Sequence, residues 1–162
     1  MTRRFSFPPI IDKKTKVVIL GTMPGEKSLE KGQYYGHPQN QFWRLLGAVI
    51  GEELQSLPYD EKLRTLQKHG IGIWDVYHSC RREGSSDAAI REEKVNALEN
   101  IKHLAPELRA ILFNGKNAAK QMHHFKGIDM HVLPSSSPLY WRIRFDQKLE
   151  KWREAIKRYI QS

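Results

Sequence analysis

Lys16-Val17-Val18-Ile19-Leu20-Gly21 is the stretch on which the fold turns. Its four consecutive apolar residues read as a buried strand that Gly21 ends. Further along, residues 41–50 read as a helix. Phe42, Leu45, Leu46, Val49 and Ile50 recur at helical spacing there, and Gly51 can stop it. Residues 60–69 read as a second helix, with Leu63 and Leu66 inward and Gly70 as its stop. Residues 71–77 are rich in β-formers and are assigned to a second strand, and residues 80–87 to a polar, basic loop. A helix is expected over 92–103, a third strand over 110–113 ending at Asn114-Gly115, a short helix over 117–124 and a fourth strand over 130–133. A long helix closes the chain over 144–160. Its apolar stripe is Phe145, Leu149, Trp152, Ile156, Tyr159 and Ile160, with basic residues on the remaining face. Strands separated by helices imply βαβ units. The expected class is therefore α/β, with a central, mostly parallel four-stranded sheet in a single domain over 1–162. Ligands of such sheets sit beyond the carboxyl ends of the strands. Segments 21–38, 77–87, 114–116 and 134–140 all follow strands and are expected to converge on one rim.

Composition narrows the function. Of 162 residues, 40% are hydrophobic and 28% charged, which is ordinary for a globular chain large enough to bury a core. Twenty-seven Lys and Arg against eighteen Asp and Glu leave a net charge of +9, which favours a polyanion: DNA, RNA or an acidic membrane face. No apolar run approaches the roughly 20 residues of a membrane helix, and residues 1–9 lack an apolar secretory core, so a cytoplasmic location without membrane contact is expected. Cys80 is the sole cysteine, which excludes an internal disulfide and a four-cysteine metal site. His123, His124 and His131 lack the spacing of a zinc site, so no metal is expected.

Four segments could carry chemistry. In Gly21-Thr22-Met23-Pro24-Gly25-Glu26-Lys27-Ser28 only three residues separate the glycines, and Glu26 stands before the lysine. A phosphate-binding P-loop needs four intervening residues followed directly by Gly-Lys, so ATP or GTP hydrolysis is rejected. In Tyr34-Tyr35-Gly36-His37-Pro38-Gln39-Asn40-Gln41-Phe42-Trp43, aromatic rings offer stacking surfaces and amides offer both donors and acceptors. By itself Asn40 suits a helix N-cap better than a catalyst, and Phe42 and Trp43 suit the core. Asp75, in Ile73-Trp74-Asp75-Val76, is either capped or salt-bridged, or else functional, because a carboxylate at the end of an apolar strand is costly to bury alone. In Leu133-Pro134-Ser135-Ser136-Ser137-Pro138, prolines brace a small polar loop that suits a phosphodiester backbone or a plain surface turn. No Gly-x-Ser-x-Gly elbow supports a serine hydrolase.

Taken in order, these segments, with Phe113-Asn114-Gly115-Lys116, resemble the uracil-DNA glycosylase superfamily over nearly the whole chain. The similarity is closest to the hypoxanthine-DNA glycosylase branch, with the mismatch-specific branch second. The resemblance implies a three-layer α/β/α sandwich, no cofactor, and a monofunctional DNA glycosylase that acts as a monomer. Such an enzyme everts a deaminated base, hypoxanthine in this branch, and hydrolyses its N-glycosidic bond. Relatives often place an Asp or Asn just before the proline of the first motif; here Met23 stands there and cannot activate water, so the essential amide falls to Asn40. By the same resemblance Tyr35 stacks on the base, and Met23, Asp75 and Asn114 line or read it. Gly21, Pro24, Gly25, Lys116, Pro134, Ser135, Ser136 and Ser137 meet the DNA, with backbone amides at the two loops gripping phosphates. Serine at position 137 is a poor wedge for the base stack, which leaves Leu139 or Tyr140. His37 is a weak candidate for the proton donor that a purine leaving group needs. Two rival readings stand beside this one: a non-catalytic nucleic-acid-binding domain, and a small-nucleotide enzyme on a Rossmann-like core.

Overall fold

In the computed structural model, which describes residues 2–161, Val17, Val18, Ile19 and Leu20 are fully buried because helices or loops cover both faces of the sheet they enter. The elements in chain order are β1 (Arg3–Phe5), β2 (Val17–Gly21), α1 (Glu26–Lys31), α2 (Phe42–Ile50), α3 (Tyr59–Lys68), β3 (Ile71–Asp75) and β4 (Tyr77–Arg81). They continue with β5 (Arg91–Val95), α4 (Ile101–Leu104), β6 (Ala110–Asn114), α5 (Lys116–Ala119), β7 (Asp129–Leu133) and α6 (Phe145–Ile160). The central sheet has the order β3-β2-β6-β7 and is parallel throughout.

Alternation along each strand sorts the core into two layers. Val17 and Ile19 of β2, Ile71 and Ile73 of β3 and Leu112 of β6 pack with α2, Leu66 of α3, and Trp152 and Ile156 of α6. Val18, Leu20, Trp74, Ile111 and Phe113 pack with Ile101 of α4, Ala118 of α5 and Phe125 on the other side. Each fully buried aliphatic side chain contributes roughly 1.5–3 kcal/mol, so these strands are held mainly by their side chains. The register aligns the strand ends: Gly21 pairs with Asp75, Leu20 with Phe113, and Asn114 with Leu133. The chain passes from β2 to β3 on one side and later returns to β6 on the other, so a topological switch point lies beside β2.

The four parallel strands, α2, α3 and α6 form as expected. Four expectations need correction, the first being that residues 117–124 are not one helix but the end of α5 and a 3₁₀ turn over Met122–His124. Residues 71–77 are not one strand: the chain turns at Val76, whose N–H donates to Gly21 O at 2.8 Å, and β4 leaves the central sheet. Residues 80–87 are not wholly a loop, since Cys80 and Arg81 finish β4. Residues 92–103 are not one helix; they supply β5, a 3₁₀ turn over Leu98–Asn100 and the short α4. β1, β4 and β5 form a second, antiparallel sheet. The cause is tertiary: Arg91–Val95 is exposed and rich in helix-forming Glu and Lys, but pairing with β4 overrides that preference.

Candidate active site

Beyond the carboxyl ends of β2, β3 and β6 lies an open cavity of about 890 Å³. The four strand-following segments do converge there. Asn40, Tyr35, Met23, Asp75 and Asn114 all line it, as do Gly21, Pro24, Gly25, Lys116, Pro134, Ser135, Ser136 and Ser137.

Tyr35 forms one wall. Its backbone is left-handed, with φ of 53°, a conformation that costs a tyrosine on the order of 1–3 kcal/mol and persists only where the surroundings enforce it. They do so from several directions. Its ring stacks on Phe42 with centroids 3.7 Å apart and planes 11° off parallel. The Trp43 indole N–H donates to Tyr35 O at 3.2 Å, and the Asn114 amide donates to the Tyr35 hydroxyl at 3.2 Å. Burial, then the Asp75 charge, push the Tyr35 pKa above the usual phenol range, so the hydroxyl stays neutral.

Asn40 lies both at the start of α2 and on the cavity wall. Its Oδ1 accepts the Phe42 N–H at 3.0 Å, fixing the start of α2 one residue ahead of the N-cap Gln41. Its side-chain NH₂ makes no hydrogen bond with the described residues while the residue lines the cavity, which leaves two donors and one oxygen lone pair for a ligand or water.

Asp75 is 4% exposed and is neither capped nor salt-bridged: its Oδ2 is buried without a hydrogen-bond partner among the described residues. Burial and, next, the Asp87 carboxylate push its pKa up to about 7, against the opposing pull of Arg82. Gly21 is required beneath it. A Cβ at position 21 would lie 2.7 Å from Asp75 Oδ1 and 2.8 Å from the Tyr35 hydroxyl.

Asn114 lines the cavity with both side-chain donors engaged within the protein. Its NH₂ group donates to Tyr35 Oη and, at 2.9 Å, to Ser136 Oγ, while its Oδ1 accepts the Ser136 N–H at 2.9 Å. Both donors are consumed by the protein, so the side chain joins the tyrosine wall to the serine loop. Asn114→Ala leaves the buried Ser136 amide unpaired and is expected to lower stability by about 1–3 kcal/mol. The melting temperature is the check.

The serine loop also corrects an expectation. The Ser136 N–H is held by Asn114 and the Ser137 N–H by Ser135 Oγ at 3.1 Å, so neither is free to grip a phosphate. The N–H groups of Ser135, Met23 and Gly25, which also line the cavity, make no hydrogen bond with the described residues. His37 is exposed, and its Nδ1 accepts the Gln39 N–H at 3.1 Å, which makes it a turn-former.

Several contributors were missed in the sequence. Lys148, placed on the basic face of the last helix, is 1% exposed. Its ammonium donates to Gln41 Oε1 at 2.8 Å and to Ser137 O at 3.4 Å, tying α6 to both the start of α2 and the serine loop. The spacing of Lys148 with Trp152, Ala155 and Tyr159 was the available signal. Arg82 is buried and donates to Pro24 O, bracing the first loop from behind. Asp87 lines the cavity and accepts from Thr22 Oγ1 at 2.9 Å and Asn117 Nδ2 at 3.3 Å. No periodicity marks either residue.

Sheet, switch point and cavity define an α/β protein with an open cavity at the carboxyl edge of a parallel sheet, the place where such folds receive ligands. The model of the uracil DNA glycosylase superfamily matches residues 8–161, and the chain belongs to that family. A curated hypoxanthine DNA glycosylase of Methanosarcina barkeri (strain Fusaro / DSM 804) is 43% identical over 158 residues, which is 96% of this chain and 99% of that protein. A hypoxanthine DNA glycosylase of Methanosarcina acetivorans is 43% identical over 155 residues, 94% of this chain and 97% of that one. A G/U mismatch-specific uracil DNA glycosylase of Schizosaccharomyces pombe is 27% identical over 141 residues, 83% of this chain but 41% of its own length. The solution NMR structure of a Methanosarcina acetivorans protein, provisionally named a uracil DNA glycosylase, superposes with a TM-score of 0.88 at 40% identity, covering 99% of this chain and all of that one.

Proposed function

We propose that this protein is a monofunctional DNA repair glycosylase that hydrolyses the N-glycosidic bond of deoxyinosine, releasing hypoxanthine and leaving an abasic site. The near-full-length 43% identity to hypoxanthine DNA glycosylases supports the activity. The observation that carries the mechanism is the Asn40 carboxamide on the cavity wall, fixed through its oxygen while no described residue holds its nitrogen. In this reading the deoxyinosine leaves the base stack and its ring lies against the cavity side of Tyr35, whose other face rests on Phe42. Asn40 holds the attacking water through its remaining lone pair and donates to the nucleotide as the C1′–N9 bond lengthens and the sugar becomes cationic. Ser135, Met23 and Gly25 amides and the Lys116 ammonium meet the phosphates. Leu139, 77% exposed, fills the vacated stack; Tyr140 is half-buried beneath the Lys148 ammonium and is poorly placed to do so. The protein acts as one domain and as a monomer in the cytoplasm. Among the described residues no helix is long and apolar enough to cross a membrane.

Incubation with duplexes carrying hypoxanthine, uracil or xanthine, followed by alkali to reveal abasic sites, tests the activity. Release of hypoxanthine is expected; release of none of the three overturns the reading, and release of uracil alone assigns the chain to its mismatch-specific relatives. The net charge of +9 sets a second expectation. Duplex affinity, followed by fluorescence anisotropy, is expected to fall by at least about tenfold between roughly 50 and 200 mM salt as counterion release is lost. Affinity unchanged over that range favours a small-nucleotide ligand.

A further inference from the structure

We infer that the carboxyl group of Asp75 donates a proton to a ring nitrogen of the departing purine. The inference rests on the proposed glycosylase activity and supplies the step that activity leaves open. Asp75 ends β3 level with Gly21, lines the cavity, and holds its Oδ1 directly over the Gly21 backbone beside the Tyr35 hydroxyl. Its Oδ2 is buried and has no partner among the described residues. An ionised carboxylate leaves the buried Oδ2 without a donor, whereas in the acid form the proton sits on Oδ1, over Gly21, and needs a single acceptor. A purine nitrogen is such an acceptor.

The surrounding charges favour the acid form. Asp87, in the turn after β4, raises the Asp75 pKa; the hydroxyls of Tyr35 and Tyr34 are neutral and feel the Asp75 charge themselves. Arg82 opposes, but its Nη2 donates to Pro24 O, not to the carboxylate. Burial first and Asp87 second bring the value to about 7, so a large share of the groups carry a proton at neutral pH. The other titratable groups along the wall are poorer sources: His37 is exposed and its Nδ1 is already an acceptor, and Lys116 is solvated.

The step balances as follows. The C1′–N9 pair moves onto the purine as the bond breaks, and the Asp75 proton neutralises the charge at a ring nitrogen. Water adds its oxygen to C1′ and its surplus proton goes to solvent, from which the Asp75 carboxylate is reprotonated after release. Neutral hypoxanthine and an abasic sugar result. A uracil leaving group departs as a delocalised anion and gains less from such an acid.

The test is single-turnover release of hypoxanthine from a deoxyinosine duplex between about pH 5.5 and 9, for the wild type and Asp75→Asn. Asparagine keeps the shape and can still bond a base edge, but it cannot transfer a proton. The wild-type rate is expected to fall about tenfold per pH unit above about 7, and the variant to be at least about 100-fold slower at pH 6.5 and flat with pH, with duplex affinity within about threefold of wild type. Folding is not the cause of such a loss. A carboxyl whose folded pKa is raised costs stability progressively as pH rises from about 4 to about 7, so Asp75→Asn is expected to melt no lower than wild type above pH 7. A variant rate within threefold of wild type, a slow variant that keeps the wild-type pH profile, or a flat wild-type profile each overturns the proton-donor assignment alone. A wild type that releases no hypoxanthine at any pH overturns the glycosylase reading, and the assignment with it.

Discussion

Asn40→Ser is expected to lower the rate of hypoxanthine release by about 10²- to 10³-fold while leaving the fold intact, a loss of the size seen when one preorganised polar group is withdrawn from a transition state. The substitution separates the two roles of the side chain. Serine is as good an acceptor as asparagine at a helix start, so the hydrogen bond now made by Asn40 Oδ1 to the Phe42 N–H can be replaced. Its hydroxyl is too short to reproduce the NH₂ group, which no described residue holds. Asn40→Ala loses both roles and is expected to be equally slow and about 1 kcal/mol less stable. Single-turnover rates beside melting temperatures are the check. Turnover within tenfold of wild type for the serine variant, at unchanged stability, would mean that Asn40 only starts the helix.

Gly21→Ala is expected to lower the rate by about 100-fold, since displacement of reacting groups by about 1 Å has that effect. The added methyl would sit 2.7 Å from Asp75 Oδ1 and 2.8 Å from the Tyr35 hydroxyl, closer than real contacts allow. Neither neighbour can retreat easily. Tyr35 is clamped by Phe42, Trp43 and Asn114, and Asp75 is buried at the end of β3. Relief therefore comes by pushing both into the cavity, with an overpacking cost of about 1–3 kcal/mol. The fold survives because Gly21 ends β2, past the last apolar side chain that the strand gives to the core. Wild-type activity in a variant destabilised by that amount would show that the floor of the cavity takes no part in holding the nucleotide.

The parts of the molecule legible in its sequence are those governed by local apolar periodicity. Val17 to Leu20, Ala110 to Phe113, the stripe of α6 and the face of α2 all carry their burial in their spacing. The rim of loops followed from the same reading, because the strand ends are in register. The hairpin of β4 and β5 was illegible because Arg91–Val95 is exposed on an edge strand, and its charged side chains suit a helix as well as a strand. Site roles divided in the same way. Asn40 and Tyr35 stood out as an amide and a ring ahead of a helix, but the saturation of Asn114 depends on partners 79 and 22 residues away. The orphaned oxygen of Asp75 is likewise a property of packing among distant segments. Lys148 was hidden because a lysine at a core-facing helical position defies the usual sorting of charge, and only its contact with Gln41 and Ser137 explains it.

The most direct measurement is a structure of the protein on a duplex carrying 2′-fluorinated deoxyinosine, whose glycosidic bond resists cleavage. The purine should be found outside the stack, its ring against Tyr35, with Asn40 Nδ2 within about 3.2 Å of an acceptor on the nucleotide or its attacking water. A deoxyinosine left paired in the helix, or one everted into the cavity with the Asn40 amide out of reach, would contradict the proposed chemistry.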